Sequence, residues 1–260
     1  MLEITPISAF EDNYIWLLHR PGNRACAVVD PGDEDPVMER LAAEEGLELE
    51  AILVTHKHGD HVGGVAALKE RWPGAQVYGP LHEPIPGLDR RLGEGDSVVL
   101  EPLDATFRVM EVPGHTEGHL AYSGEGLLFC GDTLFAGGCG RVFSGTYEQL
   151  SDSLQRIASL PSETLVYCAH EYTLANLGFA RWVEPDNQAL LAREKMEQEK
   201  RSRGEPTLPS TLALELATNP FLRTGEPTVI AAAEAWAGRP LRGHREVFRA
   251  LRQWKDRDYD

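Results

Sequence analysis

At 260 residues and a formal net charge of −16, the chain can hold one large domain, or a medium domain and a small one. Its 42% apolar and 25% charged content is that of an ordinary globular protein, and the acidic balance argues against a nucleic-acid partner, which needs a basic surface. No apolar run approaches the roughly 18–20 residues of a membrane span. Met1-Leu2-Glu3-Ile4-Thr5-Pro6 lacks the basic start and apolar core of a signal peptide, so a cytoplasmic location with no membrane partner is expected.

Short apolar runs bounded by turn residues predict strands at 14–18, 25–29, 51–54, 97–100, 106–112, 127–130 and 164–168. Helical patterns intervene at 35–45, 62–72 and 147–159. Mixed in this order, with hairpin-like pairs as well as crossovers, these elements predict an α/β fold of two packed sheets with helices outside. Composition changes after about residue 171. The stretch 187–203 is charged and helix-favouring, with Leu190, Leu191 and Met196 as scattered apolar anchors, and reads as a solvated helix. Breakers follow at Gly204-Glu205-Pro206 and Leu208-Pro209-Ser210, then helical segments at 227–237 and 243–254. Residues 171–260 are therefore expected to form a small α-helical domain behind a catalytic domain over 1–170. Cys26, Cys130, Cys139 and Cys168 have no CxxC spacing and sit in apolar or glycine-rich settings, which predicts reduced, mostly buried thiols.

The chemistry concentrates in Thr55-His56-Lys57-His58-Gly59-Asp60-His61, directly after the apolar run 51–54. Positions 56–61 hold three of the nine histidines plus an aspartate. Nitrogen donors crowded beside a carboxylate suit a transition metal. If the strand continues briefly, His56 and His58 point to one side at period two, and Gly59 lets the chain turn so that Asp60 and His61 face the same point. One cation cannot comfortably use all four, so a second is expected. Three further apolar runs end on a metal-type residue: His115 after 109–112, Asp132 after 127–130 and His170 after 165–168. Seven side chains can divide into two sets of three and one bridge, and Asp132, a carboxylate isolated from the cluster, is the natural bridge. Two cations about 3.5–4 Å apart lower the pKa of a shared water and generate a hydroxide nucleophile. His119 reads as a supporting residue, and His19, His82 and His244 read as surface residues.

The pattern His-x-His-x-Asp-His followed by single His, Asp and His residues at strand ends resembles the metallo-β-lactamase superfamily over residues 1–170. That resemblance implies an αββα sandwich, with His56, His58 and His115 holding one metal, Asp60, His61 and His170 the other, and Asp132 bridging. Over nearly its whole length the chain is similar to the glyoxalase II (hydroxyacylglutathione hydrolase) family. Gly131-Asp132-Thr133-Leu134-Phe135, Gly138-Cys139-Gly140-Arg141, Cys168-Ala169-His170-Glu171-Tyr172-Thr173 and Asn219-Pro220-Phe221-Leu222-Arg223 carry this likeness.

The family resemblance implies hydrolysis of S-D-lactoylglutathione, and other S-2-hydroxyacylglutathiones, to D-lactate and glutathione in methylglyoxal detoxification. It implies attack by the bridging hydroxide at two divalent metal ions, zinc first, with iron or manganese as alternatives, in a monomer. Asp60 and Asp132 are then catalytic. Arg141, Tyr172, Arg252 and Lys255 contact the glutathione, although each cation taken separately reads as a solvated surface charge. Phe143 stands where some members place a tyrosine. An iron-dependent persulfide dioxygenase is the alternative on the same scaffold; its relatives generally lack the long helical C-terminal domain.

Overall fold

A computed structural model describes residues 2–43 and 46–259. The chain forms two compact units, Met1–Glu111 with Gly118–Gly131, and Val112–Glu117 with Asp132–Asp260.

In the first unit, six strands form one sheet in chain order: β1 (Glu3–Ala9), β2 (Asn13–His19), β3 (Ala25–Val29), β4 (Glu48–Leu53), β5 (Gln76–Pro80) and β6 (Arg90–Leu92). The first three pair antiparallel and the last four parallel. Parallel neighbours need crossovers, and helices α1 (Asp35–Ala43), α2 (Gly59–Val62) and α3 (Val65–Arg71) lie in two of them. Ile15 and Leu17 of β2 join Val37 and Leu41 of α1 and Val65 and Leu68 of α3 in one apolar core. Tyr14, Trp16 and Leu18, on the opposite face of the same strand, are equally buried. A strand covered on both faces reads as a continuous apolar run, as 14–18 does. A second, antiparallel set follows: β7 (Ser97–Leu100), β8 (Ala105–Glu111), β9 (Leu120–Gly124) and β10 (Leu127–Gly131). Tyr122 of β9 donates its hydroxyl to the Val54 carbonyl at 2.6 Å, which joins this set to the first sheet.

The second unit opens with a hairpin of β11 (Leu134–Phe135) and β12 (Gly138–Cys139). Helix α4 (Tyr147–Ala158) starts in a capping box between Thr146 and Gln149. Strand β13 (Leu165–Cys168) pairs with β14 (Ser210–Thr211). The remaining helices are α5 (Thr173–Val183), α6 (Gln188–Ser202), α7 (Leu212–Thr218), α8 (Pro227–Ala237) and α9 (Gly243–Trp254), the last continued by a π-helical turn over Lys255–Tyr259. No helix among the described residues is long and apolar enough to cross a membrane.

Every expected strand is present. The structure also corrects several readings. β4 ends at Leu53, so the strand does not continue through His58, and Gly59 opens the short helix α2 instead of a sharp turn. The helix expected over 62–72 begins at Val65, and residues 44–45 of the one expected over 35–45 lie outside the described residues. On α6, Met196 is exposed; Leu190, Arg193 and Glu197 line the buried side. The sequence disguises that face because Arg193 is made buriable by Glu215, 2.6 Å away and itself buried. His19 is largely covered, with 14% of its side chain exposed, whereas His82 and His244 are exposed and half-exposed. All four cysteines are buried, as expected.

Candidate metal centre

In the first unit, β3 and β4 run parallel and end side by side. Asp30, just past β3, takes a left-handed backbone conformation (φ 53°) that Asp tolerates better than most residues. Its side chain reaches across to the His cluster. Oδ1 accepts the Thr55 backbone N–H at 2.7 Å, and Oδ2 accepts the Thr55 hydroxyl at 2.7 Å. His61 Nδ1 lies 3.1 Å from the same Oδ2. A carboxylate only accepts, so His61 carries a hydrogen on Nδ1, and in the neutral ring that a metal requires Nε2 is the lone-pair atom.

The same logic fixes His56. The single Thr55 hydroxyl hydrogen is spent on Asp30, so Thr55 Oγ1 must accept from His56 Nδ1, 3.1 Å away. His56 Nε2 is then the unprotonated atom. It lies 3.0 Å from His58 Nδ1. Asn13, buried at the start of β2, donates to Asp60 Oδ2 at 3.1 Å, and Asp60 Oδ2 stands 3.5 Å from His61 Nε2. His119 is fully buried, stacks on His56 at 4.5 Å and faces the Leu120 carbonyl through Nδ1 at 2.9 Å.

In the second unit, His115 Nδ1 lies 2.8 Å from the Arg141 carbonyl. A carbonyl cannot donate, so Nδ1 carries a hydrogen and Nε2 is again the lone-pair atom of the neutral ring. It faces Asp132 Oδ2 at 3.4 Å, while the other oxygen, Oδ1, faces His170 Nε2 at 3.3 Å. Gly140 lets these residues approach: a Cβ there would lie 2.0 Å from the Asp132 carbonyl oxygen and 3.0 Å from His115 Nδ1.

The donors fall into two groups. His56, His58, His115 and Asp132 each offer one ligand atom, all within 4.8 Å of one another, and so do Asp60, His61 and His170. Metal ligands on a tetrahedral cation with bonds of about 2.05 Å stand ~3.3 Å apart. The pairs at 3.0, 3.3, 3.4 and 3.5 Å match that spacing. Charged hydrogen bonds at about 2.7–2.9 Å would be shorter than the three longer of these. The donor set therefore fits divalent cations, with the far ring nitrogens of His56, His61 and His115 fixed by oxygen acceptors in the manner of metal-ligating histidines.

Asp30 and Asn13 escaped the sequence reading. Asp30-Pro31-Gly32 carries the same strand-end signal as Asp132, and reads locally as a turn.

The four residues expected at the substrate differ in placement. Arg141 is half-exposed, and its Nε lies 3.7 Å from Asp256 Oδ1. Tyr172 is partly exposed and stacks on His170 at 4.7 Å and 4°. Arg252 is not a solvated charge: its side chain is 1% exposed, donates to the Cys139 carbonyl at 2.9 Å and pairs with Asp256 Oδ1 at 2.9 Å. Lys255 is buried with its Nζ 5.9 Å from the Tyr259 ring centre. Phe143 is exposed and sets its ring edge-on to His115.

Residues 10–170 match the model of the metallo-beta-lactamase superfamily, and residues 171–258 match that of the hydroxyacylglutathione hydrolase C-terminus. The hydroxyacylglutathione hydrolase of Alkalilimnicola ehrlichii is 54% identical over 98% of this chain and 99% of its own. That of Pseudomonas fluorescens is 52% identical over 99% and 100%. Among solved structures, ETHE1 from Myxococcus xanthus aligns with a TM-score of 0.67 at 25% identity, covering 96% of this chain and 89% of that one. The di-iron-bound form of TTHA1623 aligns with a TM-score of 0.59 at 29% identity, covering 84% and 100%. The fold is thus the αββα metallo-β-lactamase fold followed by a helical C-terminal region, and the chain belongs to the hydroxyacylglutathione hydrolase family.

Proposed function

We propose that the chain hydrolyses S-2-hydroxyacylglutathiones, S-D-lactoylglutathione first among them, to the 2-hydroxy acid and glutathione, and so serves methylglyoxal detoxification. The observation that carries this reading is the presence, in one chain, of two His/Asp groups with metal-ligand spacing and a C-terminal region matching the hydrolase model. The C-terminal match favours this reading over a persulfide dioxygenase. A division of labour between a catalytic domain over 1–170 and a substrate-binding domain over 171–260 is supported by the two family models, which meet at that point.

His56, His58 and His115 would hold one cation, Asp60, His61 and His170 the other, with Asp132 shared through its two differently directed oxygens. The donor set takes zinc readily and also suits iron or manganese. Such cations, when bound, polarise the thioester carbonyl and lower the pKa of a water. Asp60, oriented by Asn13, is assigned a second duty as acceptor of the attacking water's proton. The thiolate of glutathione is a good leaving group, so no side chain is required to protonate it.

Glutathione carries two carboxylates, and a chain of net charge −16 must meet them with local positive charge. Arg141 and Arg252 both pair with Asp256, and Lys255 acts with Arg252 on the nearby Cys139 thiol, so positive charge gathers here. Arg141 would make the direct contact, Tyr172 would line the site beside His170, and Arg252 and Lys255 would add their field from behind the surface. The chain is proposed to act as a monomer, and four buried thiols suit the reducing cytoplasm.

The test is loss of thioester absorbance with S-D-lactoylglutathione, run with metal analysis on the same preparation. Hydrolysis that a chelator abolishes and zinc restores is expected, and Asp132→Ala should lose it. A thioester left intact by the metal-loaded protein, or oxygen uptake with glutathione persulfide, would overturn the reading.

A further inference from the structure

The β11–β12 hairpin lies between two residues of the proposed site, Asp132 and Arg141. Two strands of two residues each cannot hold a fixed position unaided. Yet the backbone of every residue from Phe135 to Cys139 is tied to a buried side chain from the helical segment. The Phe135 and Gly138 carbonyls accept Asn219 Nδ2 at 3.2 and 2.9 Å. Ala136 accepts Asn176 Nδ2 at 3.1 Å, and Cys139 accepts Arg252 Nη1 at 2.9 Å. The Gly137 N–H donates to Glu215 Oε2 at 2.8 Å.

We propose that Asn176, Glu215, Asn219 and Arg252 form a clamp whose task is to position Asp132, His115 and Arg141. The clamp is anchored in turn. Glu215 takes Arg193 Nη2 at 2.6 Å on its other oxygen, and its Oε2, 3.0 Å from Asn219 Nδ2, shares that amide's two hydrogens with the hairpin carbonyls. Fit against the hairpin is tight: a Cβ at Gly138 would stand 2.5 Å from Asn176 Cγ, so the turn cannot settle closer with any other residue. The Gly140 N–H closes the loop onto the Thr133 carbonyl at 3.3 Å. A shift of the hairpin therefore moves Asp132 at one end and the Arg141 carbonyl, which orients His115, at the other. The helical segment then serves the metal centre as well as the substrate, and its four clamp residues are positioning residues. This inference rests on the proposed roles of Asp132 and His115 as ligands.

The experiment compares the full-length zinc-loaded protein with Asn219→Ala, Asn176→Ala and, as a destabilised control whose apolar side chain gives the hairpin no hydrogen bond, Leu190→Ala, fully buried against Leu177 and Ala180. Zinc affinity is read by chelator competition, hairpin order by hydrogen exchange of amides 134–140, and catalysis as kcat and KM. In Asn219→Ala the hairpin amides should exchange faster and zinc affinity fall about ten-fold or more, the size seen when supporting residues of metal ligands are lost. kcat should fall with it. Leu190→Ala should lose stability while keeping zinc affinity within about two-fold.

Equal losses of zinc affinity in Asn219→Ala and Leu190→Ala would overturn the clamp. So would faster hairpin exchange at unchanged affinity. If Asn219→Ala fails to fold, Asn176→Ala, which gives up a single hairpin hydrogen bond, decides the matter on the same two readouts. Failure of the wild-type chain to bind zinc would instead sink the proposed function, which keeps the two failures apart.

Discussion

Asp30→Asn should disable metal binding without harming the backbone. Asn accepts the left-handed conformation of residue 30 at least as well as Asp. The side chain has the same shape but must place an NH2 where one carboxylate oxygen stood. At Oδ1 it would confront the rigid Thr55 backbone N–H; at Oδ2 it confronts a hydroxyl and an imidazole, both of which can reverse their hydrogens. The NH2 therefore takes the Oδ2 position. Thr55 then turns its hydrogen onto His56 Nδ1, and His61 Nδ1 becomes an acceptor. Both rings are left with a hydrogen on Nε2, the atom that should ligate.

Loss of an orienting partner costs roughly 10–100-fold in metal affinity per ligand. The two ligands lie in different donor groups, so each cation loses about 10–100-fold and the joint constant for binding both falls about 10²–10⁴, or about 3–5 kcal/mol. Chelator competition measures the affinity, and circular dichroism of the metal-free protein checks the fold. Thr55→Val breaks only the His56 branch and should show the smaller, single-ligand loss. Zinc affinity within about five-fold of the parent in Asp30→Asn would refute the tautomer argument.

Other expectations follow from contrasts in burial. Burial alone would raise the Glu184 pKa, but the two-pronged contact of Arg223 at 2.7 and 3.1 Å and the Thr228 hydroxyl outweigh it and hold the carboxyl below its ordinary value. Arg223→Ala should thus cost about 3 kcal/mol in urea unfolding, whereas Arg245→Ala, on the exposed pair with Asp152, should cost less than about 1 kcal/mol. Because the folded pKa of Glu184 is depressed, its contribution is present above the unfolded value and fades as pH falls through the folded one.

The thiols titrate the other way. Burial pushes Cys139 from 9.0 up to about 11 and Cys168 to about 12. An unfolded chain ionises first, so stability should decline above pH 9 by about 1.4 kcal/mol per pH unit for each thiol until its folded pKa is reached. Neither thiol should react with a disulfide reagent at pH 8 until the protein unfolds; fast labelling of the native protein would contradict this. Arg141→Ala should leave thermal stability nearly unchanged, because its ion pair is exposed and long. It should lower kcat/KM for the glutathione thioester by about 10–100-fold, the loss of one charge-assisted contact.

The sequence by itself determined much of the site. His56, His58, Asp60 and His61 are legible because they cluster, and His115, Asp132 and His170 because all three repeat one pattern, a metal-type residue after an apolar run that reads as a strand. The sandwich was legible for the same reason: strands covered on both faces write themselves as unbroken apolar runs. The helical C-terminal region was legible in part. Helix α9 carries its apolar periodicity openly and α8 its alanine-rich, helix-favouring composition, whereas α5 and α7 lie outside the expected helical segments. α6 hides its buried face behind Arg193 and Glu197, since a charge that folding neutralises looks in sequence like any solvated one.

Tertiary structure alone decided which nitrogen of His56, His61 and His115 faces the metal position. That choice is made by Asp30, 25 residues before Thr55, and by a backbone carbonyl at Arg141, and nothing local tells which histidine either one meets. It also decided that Arg252 is buried against the Cys139 carbonyl, 113 residues away, instead of standing in solvent. Donor atoms are chosen by side-chain chemistry, which sequence records directly. Their orientation is chosen by hydrogen-bond partners that the folded chain sets at 2.8–3.1 Å.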